Sequence, residues 1–562
     1  MPHRILINAL KRTEFLAYIL AGWSFAVLFL EPIISYYTSY AWVENLTAIA
    51  NILVLGLAII SRLMDHNEAG KKIIYADLVM LIMGALLLFY QAKFVIFFLL
   101  IRQTYFILTY FIFNAFEGKF YRLLASNPPV TLMLSFLGLI AVGTFLLMLP
   151  ASSQSGYVTP FVDALFTSTS ATCVTGLIVK DTPVYFSVFG QIVILLLIQL
   201  GGLGIMTVST AFALVLGQRL NLKLENVMHS VVSGSPSIDI FQLLKNIVYV
   251  TAIIEMAGAA LLYSRFIQDM QPLKAFYFSV FHSISAFCNA GFALFSDNMM
   301  TYVGSTTINL GITLLIILGG IGFSVVIDLY RYFTSRARNK RLNLHSKLVL
   351  VTSAVLLLGG MIAYFMAEYK VSMAGFNVPD RLLASWFQSV TTRTAGFNTI
   401  DVSRLSPASV LVSLVLMFIG ASPGSTGGGI KTTTFAVLIL SLTSMLKGKK
   451  DLSAFNRKIS LNNYREATSL ITLAAILVFG VIFIMMLIEP FSFEKIAFEA
   501  FSAFGTVGLS MGITPSLSFT GKLLITLLMY IGRIGPLTII YALSISRRQT
   551  NIEFAEEKIA IG

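Results

Sequence analysis

A short window that ends in glycine occurs four times in this chain, at intervals of about 110 residues, which indicates an internally repeated fold. The windows are DALFTSTSATCVTG (163–176), FSVFHSISAFCNAG (278–291), LASWFQSVTTRTAG (383–396) and KIAFEAFSAFGTVG (495–508). An aromatic residue stands ten positions before each final glycine, so the alignment equates Phe166, Phe281, Trp386 and Phe498. Four windows in one register predict four copies of one structural unit.

Each window lies between two longer apolar segments, so the predicted unit is helix, short half-helix, polar loop, helix. The segment pairs are 130–149 and 185–216, 246–264 and 306–330, 348–367 and 406–446, and 466–488 and 520–545. A half-helix of about 12 residues is about 18 Å long. Because the hydrocarbon core of a bilayer is about 30 Å thick, such a half-helix has to enter, turn and return on the same side.

The composition places these units in a membrane. The chain is 57% hydrophobic and 12% charged, with a mean hydropathy of +0.84, whereas a soluble domain is about 25% charged. The net charge of +13 is concentrated in loops such as 331–347 and 447–465, while loops 150–160 and 509–520 contain no lysine or arginine. This is the positive-inside pattern, and it accounts for the charge without a nucleic-acid partner. The predicted fold class is an all-α polytopic membrane protein without an evident cleavable signal peptide.

Residues 1–125 precede the four units and contain four further apolar segments, 13–36, 44–61, 74–91 and 94–116. They predict an N-terminal bundle of four extra transmembrane helices of unknown role, and twelve full spans in all. An even number of extra spans keeps the N-terminus in the cytoplasm. The predicted domains are this bundle (1–125), a core (126–546) with units 126–217, 240–334, 345–446 and 465–546, and a short cytoplasmic tail (547–562).

The four loops are best explained as parts of one pore. A bare loop at membrane depth is tolerated only where protein buries it or water lies beside it. Glycine permits backbone conformations that let carbonyl groups face a common axis, and the half-helices direct the negative ends of their dipoles to the same region. Rings of carbonyl groups can replace the hydration shell of a cation, so the loops predict a cation filter.

The loops TSATCVTGL, HSISAFCNAGF, TRTAGFNTI and SAFGTVGLS resemble, in this order, the four filter loops of the Trk/Ktr/HKT superfamily of potassium transporters, especially the TrkH and KtrB membrane subunits. The resemblance covers about 125–546 and implies uptake of potassium, and of rubidium, across the cytoplasmic membrane without an organic cofactor in this chain. In that family a serine in the first filter accompanies sodium transport, so Gly176 implies selectivity for potassium. The cation site implied by the resemblance consists of Val174, Thr175, Gly176, Asn289, Ala290, Gly291, Thr394, Ala395, Gly396, Thr506, Val507 and Gly508.

The resemblance also implies partners. TrkH-like subunits form dimers that bind cytosolic nucleotide-binding regulatory subunits of the TrkA or KtrA type, so a homodimer with such a regulator is expected here. The tail after Arg548 is too short for a nucleotide-binding domain of its own. The basic loops 331–347 and 447–465 are candidate docking surfaces, although membrane topology accounts for them equally well.

The second helix of the third unit contains FIGASPGSTGGGIKTTT (418–434), in which glycines and a proline interrupt an apolar run. Such a segment cannot remain a regular helix. A broken helix inside a membrane indicates a binding site or a moving part, and the resemblance implies a flexible loop beneath the filter; a passive kink is the alternative. We assign 420–431 as the gate and expect only this unit to have a broken second helix. The gate residues are Gly420, Gly424, Gly427, Gly428, Gly429 and Lys431.

Arg533 lies near the middle of the last apolar segment, where a charge costs at least about 2.5 kcal/mol unless it is paired or hydrated. Snorkelling to the interface is the ordinary explanation. The resemblance implies instead that Arg533 faces the pore below the filter and takes part in gating. Its charge would raise the barrier to a cation, and its guanidinium group could hold the gate through backbone carbonyls.

Other polar residues near the loops have less specific roles. Arg393, beside the third filter, is expected to brace its loop from behind, and His282 to pack or hydrogen-bond behind the second filter. Glu499 could add to the field of the outer pore or merely pair behind it. Asp163 and Asp181 could attract cations at the mouth or simply be solvated.

Several alternative functions stay open. A sodium-selective or sodium-coupled cation transporter is the main alternative, and a secondary carrier for organic solutes is a weaker one, because such carriers commonly have inverted repeats whereas these four run in the same order. An enzyme is not expected, since no catalytic cluster of His, Asp or Glu lies within the spans. Cys173 and Cys288 have neither metal-ligand spacing nor a disulfide framework.

Overall fold

The computed structural model describes residues 128–204, 240–334, 341–449, 451–536 and 538, with five isolated positions between 46 and 53. Chain contacts separate two compact bodies: one comprises Met1–Leu124, Leu149–Ala151 and Ser155–Val158, and the other comprises the remaining residues. All helices named below belong to the second body. The predicted N-terminal bundle, apart from those isolated positions, and the predicted tail lie outside the described residues.

The helices follow the predicted order in all four units. Unit 1 contains α1 (Pro128–Met148), α2 (Phe161–Thr172), the short α3 (Thr182–Tyr185) and α4 (Val188–Gly202). Unit 2 contains α5 (Ile240–Phe266), α6 (Pro272–Phe287), α7 (Thr306–Ile321) and α8 (Phe323–Thr334). Unit 3 contains α9 (Leu344–Glu368), α10 (Val378–Thr391), α11 (Pro407–Phe418) and α12 (Thr432–Leu446). A small antiparallel hairpin, β1 (Ser453–Ala454) and β2 (Arg457–Lys458), leads to unit 4, which contains α13 (Leu461–Ile488), α14 (Phe493–Gly505) and α15 (Phe519–Ile534).

Three described helices are long and apolar enough to cross a membrane: α5 over Ile247–Phe266, α9 and α13. Each is the first helix of its unit. Helices α7 and α8 would together make a fourth span, but they are bent by 98° where they meet. We expected a broken second helix in unit 3 only, and this bend shows that the second helix of unit 2 is broken as well.

A glycine with positive φ stands at the end of the second helix in units 1, 2 and 4 as well, whereas the sequence led us to expect an interruption only in unit 3. Gly204 follows the end of α4 with φ +74°, Gly322 follows α7 with φ +99°, and Gly535 follows α15 with φ +89°. A glycine in such a conformation ends a helix at little steric cost. In unit 3 the whole segment between α11 and α12 forms the break.

The half-helices α2, α6 and α10 pack against the first helices of units 1, 2 and 3 through a repeated contact. The hydroxyl groups of Ser168, Ser283 and Ser389 donate to the carbonyl oxygens of Ile140, Glu255 and Leu357, at 2.6–2.8 Å. Three residues beyond each acceptor is a glycine (Gly143, Gly258, Gly360) whose missing Cβ leaves room for the serine. The contact sets the position of each half-helix on the first helix of its own unit, and it therefore shows which residues of units 1, 2 and 3 are equivalent.

This equivalence corrects one position in the sequence alignment. The fully buried phenylalanine two residues before each serine is Phe166, Phe281 and, in unit 3, Phe387. Trp386 is only partly buried and donates instead to Thr313 Oγ1 in unit 2 at 3.1 Å. The loop of unit 3 is one residue shorter than the others, since Ala395 N donates to Thr391 O whereas Thr175 N donates to Ser170 O.

In units 3 and 4 a buried carboxylate links the end of the first helix to the start of the second helix. Glu368, at the end of α9, accepts from the backbone N–H and the hydroxyl of Ser406, which caps α11. Glu489, just after α13, accepts in the same way from Ser518, which caps α15. In both units one carboxylate therefore fixes where the second helix begins.

Candidate ion pathway

The loops after the four half-helices share one backbone conformation. The residue two positions before the final glycine has a positive φ in each, 56° at Val174, 62° at Asn289, 70° at Thr394 and 49° at Thr506, and the four glycines have φ between 70° and 94°. A left-handed conformation costs a non-glycine residue roughly 1–2 kcal/mol. Strain of this kind persists only where the surrounding structure imposes it, and it concentrates at functional sites.

A hydroxyl group in the last turn of each half-helix holds the loop in this shape. Ser170 Oγ and Ser502 Oγ accept from the N–H groups of Gly176 and Gly508, at 3.0 and 3.1 Å. In the other two units the equivalent hydroxyls donate to the carbonyl just beyond the glycine, from Ser285 to Phe292 at 2.8 Å and from Thr391 to Phe397 at 2.5 Å.

The four glycines form a closed ring in which each packs against the next unit. A Cβ atom built on any of them would lie closer than 3.0 Å to a neighbouring carbonyl oxygen. The pairs are Gly176 with Ala290, Gly291 with Ala395, Gly396 with Val507, and Gly508 with Thr175. The ring therefore runs through units 1, 2, 3 and 4 and closes on unit 1, and it brings all four predicted filter loops together.

Polar residues behind the ring hold the chain that leaves it. His282 is buried, with Nδ1 2.7 Å from Phe278 O, and its Nε2 accepts from Leu294 N at 3.1 Å. Glu499 is also buried and accepts from the hydroxyls of Ser510, at 2.7 Å, and Thr514. His282 therefore hydrogen-bonds behind the filter as expected, and Glu499 pairs behind it.

The carboxylate of Asp163 is paired rather than free. Asp163 lies in the first turn of α2, is 6% exposed, and accepts from Lys522 Nζ at 2.7 Å, with Lys180 Nζ at 3.6 Å. The expected solvation of Asp163 is therefore wrong, because its carboxylate is buried and paired with lysine. The bond to Lys522 joins units 1 and 4.

The predicted gate folds back on itself directly beneath the ring. Ile419 and Ile430 pair as a short parallel bridge, and Ala421 N donates to Gly428 O at 3.3 Å. Gly428 N then donates to Thr506 Oγ1 at 3.0 Å. Gly427 packs against Thr394 Oγ1 so closely that a Cβ atom would not fit. The segment is thus seated against the filter loops of units 3 and 4.

The ends of α7 and α15 supply the remaining hydrogen-bond acceptors for the predicted gate. The last carbonyl groups of a helix have no partner within it and are free to accept from another segment. Gly320 O accepts from Ser422 N at 3.0 Å, and Gly319 O accepts from Thr426 N at 3.2 Å. In unit 4, Gly532 O accepts from Gly429 N at 3.3 Å. Gly424 O in turn accepts from Phe323 N, just after the bend between α7 and α8, at 3.0 Å.

Arg533 bridges the gate to unit 1. Its Nη1 donates to Thr426 O in the gate, and its Nη2 donates to Gly201 O and, at 3.4 Å, to Gly202 O. Gly201 O and Gly202 O are the last carbonyls of α4. Among the described residues no carboxylate pairs with Arg533, so backbone dipoles stabilise its charge, which fits the expected gate-holding contact.

Two further cations, one within the gate segment and one in the third filter loop, donate to carbonyls of this segment. Lys431 Nζ donates to Gly427 O at 2.7 Å. Arg393 is 8% exposed and its Nη2 donates to Gly420 O at 3.3 Å, so it ties the third filter loop to the start of the gate. The sequence had suggested a brace for Arg393 but not its acceptor.

Sequence reasoning included Thr394 and Thr506 for their carbonyls and Thr426 as part of the predicted gate, but it did not predict the contacts of their hydroxyl groups. Thr426 Oγ1 donates to Phe287 O, at the end of α6, at 3.2 Å, and Thr394 Oγ1 is hydrogen-bonded to the Asn289 amide at 3.2 Å. A hydroxyl two positions before the glycine occurs only in the loops of units 3 and 4. This difference between the loops could have predicted that the gate segment packs against units 3 and 4.

Comparison of the sequence with known protein families identifies the family of this chain. Residues 92–553 match the TrkH family, described as cation transport protein. The chain belongs to this family. Its members are membrane transport proteins, and the TrkH-family chain described here is accordingly a multi-pass membrane protein built mostly of helices.

Relatives of this TrkH-family chain match it over nearly their whole length. It is 41% identical over 439 residues to the Ktr system potassium uptake protein B of Bacillus subtilis, which covers 78% of this chain and 97% of the relative. It is 38% identical over 443 residues to the potassium/sodium uptake protein NtpJ of Enterococcus hirae, with 78% and 97% covered.

The fold itself is also found in a solved structure. The potassium transporter TrkH from Vibrio parahaemolyticus superposes with a TM-score of 0.58 at 16% identity, over 90% of this chain and 99% of the other. At that identity the match concerns the fold, and it agrees with a helical membrane architecture.

Proposed function

We propose that this protein takes up potassium, and also rubidium, across the cytoplasmic membrane through the four-loop filter. The observation that carries the proposal is the closed ring in which each glycine makes room for the carbonyl group of the next unit. Carbonyl rings of this kind coordinate monovalent cations in place of water. Relatives at 41% and 38% identity are named as potassium and as potassium/sodium uptake proteins.

The ions would cross the filter first and the gate second. Residues 174–176, 289–291, 394–396 and 506–508 supply the coordinating carbonyls, with the N-terminus of the chain on the cytoplasmic side. Segment 420–431 closes the pathway beneath them through its bonds to Thr506, Gly319 and Gly532. Arg533 adds a positive charge at the same place, which opposes the passage of a cation while it holds Thr426.

The regulatory partners follow from the same family. We propose a homodimer that binds cytosolic nucleotide-binding subunits of the TrkA or KtrA type. The hairpin of β1 and β2 supports a cytosolic docking surface, because Arg457 and Lys458 are exposed on it and Lys447 and Lys449 lie nearby in the chain. Co-purification of the chain with such a subunit, and its loss on reversing these charges, would test this.

The test of transport compares rubidium and sodium uptake into liposomes that contain the purified chain. The key variant is Gly176→Ser, which pushes a side chain against Ala290 O. We expect the wild type to prefer rubidium and the variant to lose that preference. Gly512→Ser is the matched control, because Gly512 also has a positive φ, of 87°, but its missing Cβ faces open space.

Two outcomes would contradict the proposal. If Gly176→Ser and the wild type had the same preference for rubidium over sodium, the glycine ring would not be the element that determines selectivity. Absence of any cation flux in a folded dimer that retains its regulator would contradict the pore itself.

A sodium-selective or sodium-coupled transporter is the second candidate, and its one supporting observation is that a relative is named as a potassium/sodium uptake protein. The same liposomes separate the candidates. Uptake of rubidium that needs sodium on the outside would indicate coupling, and uptake of sodium alone would indicate sodium selectivity.

A further inference from the structure

A buried carboxyl group lies in the middle of a candidate membrane span, on a helix that belongs to neither the filter loops nor the gate segment. Glu255 is in the middle of the span Ile247–Phe266 and is only 9% exposed. A bare carboxylate in such a position is strongly unfavourable unless it is paired, and an ionisable group inside a span commonly marks a site of proton or ion transfer.

The partners of Glu255 are neutral. Its Oε2 accepts from Gln199 Nε2 on α4 at 3.2 Å, and its Oε1 is 4.0 Å from Cys288 Sγ, at the end of α6. The same thiol is 3.4 Å from Gln199 Oε1. Among the described residues no basic side chain lies within ion-pair distance of Glu255. One amide and one thiol are too few donors to stabilise a full negative charge.

The other units serve as an internal control for this position. The serine contact described above makes Ile140 and Leu357 the counterparts of Glu255 in units 1 and 3, and both are buried. Gln199 corresponds to Ile317 and Tyr530, since each stands two residues before a glycine packed on the end of a half-helix. Packing alone is satisfied there by apolar or aromatic residues, so it does not require a carboxyl group in unit 2.

We propose that Glu255, Gln199 and Cys288 form an intramembrane proton-binding site at the boundary of units 1 and 2, and that release of its proton loosens the gate. A proton fits this cluster better than a metal cation, because the cluster offers two carboxylate oxygens and one amide oxygen, whereas hard cations take six or more oxygen ligands.

The link to the gate passes through Arg533, and this part rests on the proposed function. Arg533 Nη2 donates to Gly201 O and Gly202 O, within one turn of Gln199 on α4. Cys288 packs directly against Gly202, since a Cβ atom built on Gly202 would lie 2.5 Å from Cys288 Sγ. A negative charge on Glu255 would therefore attract the guanidinium group toward α4 and weaken its bond to Thr426 O in the gate.

The other groups around Glu255 do not supply an alternative titration. Helix α7, which packs on α5, contains no titratable residue. On α6, His282 is turned away to Phe278 O and Leu294 N, Tyr277 donates to Gln191, and Lys274 lies over the Phe278 ring. Arg265, near the end of α5, is paired with Asp269.

The first measurement is covalent labelling of the full-length protein in lipid vesicles with dicyclohexylcarbodiimide. A protonated carboxyl group in an apolar site adds to this reagent, and its proton moves to a nitrogen of the carbodiimide. Mass spectrometry should find an adduct on the peptide that contains Glu255, less of it as the pH rises, and none there in Glu255→Gln. Lack of an adduct in folded wild type, or protection by sodium at constant pH, would overturn the proton site.

The second measurement is rubidium uptake as a function of pH in the same vesicles. We expect a several-fold rise with pH in the wild type, and a flux that stays at its low-pH value in Glu255→Gln, which mimics the neutral carboxyl group. Glu494→Gln, which removes an exposed carboxylate of α14, should keep the wild-type pH dependence. An unchanged pH profile in Glu255→Gln would overturn the link to the gate. Labelling does not depend on transport, so an adduct in protein without rubidium flux would contradict the proposed function and still support the proton site.

Discussion

At the scale of single residues, the predicted gate segment packs against the predicted filter loop of unit 3 because Gly427 has no side chain. A Cβ atom there would lie closer than 3.0 Å to both Thr394 Oγ1 and Ala421 Cβ. We predict that Gly427→Ala prevents the gate from seating and raises rubidium flux several-fold over the wild type, measured in liposomes at equal protein density.

Gly424→Ala is the matched control for this prediction. Gly424 has φ +67° but open space at its Cβ position, so alanine strains the backbone by roughly 1–2 kcal/mol without striking the filter. We expect a smaller rise in flux than in Gly427→Ala. Equal fluxes in the two variants, or no rise in folded Gly427→Ala, would show that the contact with Thr394 does not close the pathway.

Individual residues also show where sequence reasoning succeeds and where it stops. The four glycines could be found because the unusual conformation they need leaves a repeated mark in the sequence. The shift from Trp386 to Phe387 could not, since both residues are aromatic and a one-residue deletion leaves the pattern intact. The pairing of Asp163 with Lys522 joins residues 359 positions apart, and nothing local in either segment specifies the other.

At the scale of helices, the breaks in α4, α7 and α15 were predictable in part. The segments GGLG (201–204), GGIG (319–322) and IGRIG (531–535) signal them. They were hidden because apolar residues continue on both sides, so hydropathy alone indicates one long span. The role of these glycine segments is visible only in the structure, where the carbonyl oxygens of Gly319, Gly320 and Gly532 accept hydrogen bonds from the predicted gate.

The starts of the second helices give a prediction about stability. Ser518 Oγ accepts from Gly521 N at 3.1 Å and donates to Glu489, so Ser518→Ala removes both the cap and a partner of a buried carboxylate. We expect a loss of about 1–2 kcal/mol in the free energy of unfolding, seen as a lower thermal midpoint in detergent. Ser492 begins α14 without a side-chain cap bond, and Ser492→Ala should change the midpoint much less. Equal shifts would contradict the capping role.

At the scale of the whole molecule, four units of one chain behave as a ring because each closes the space left by its neighbour. The sequence could predict four loops and one axis, since repetition is visible in one dimension. It could not predict the order of contact, in which the carbonyl of unit 2 fills the gap at Gly176 and that of unit 1 fills the gap at Gly508. The ring is therefore a property of the assembled core and not of any one window.

This cyclic arrangement predicts that selectivity does not depend on the first glycine alone. Alanine at Gly291, Gly396 or Gly508 would press a Cβ atom against Ala395 O, Val507 O or Thr175 O, and would also strain a residue with positive φ. We expect each variant to reduce the preference for rubidium over sodium in liposome uptake, with Gly291→Ala the mildest, because its Cβ would have the longest separation of the four, 2.7 Å. Gly512→Ala, strained but without a neighbour, should keep the wild-type preference. If Gly176 variants lost selectivity while the other three kept it, the four loops would not act as one ring, and the first unit alone would have to discriminate between the ions.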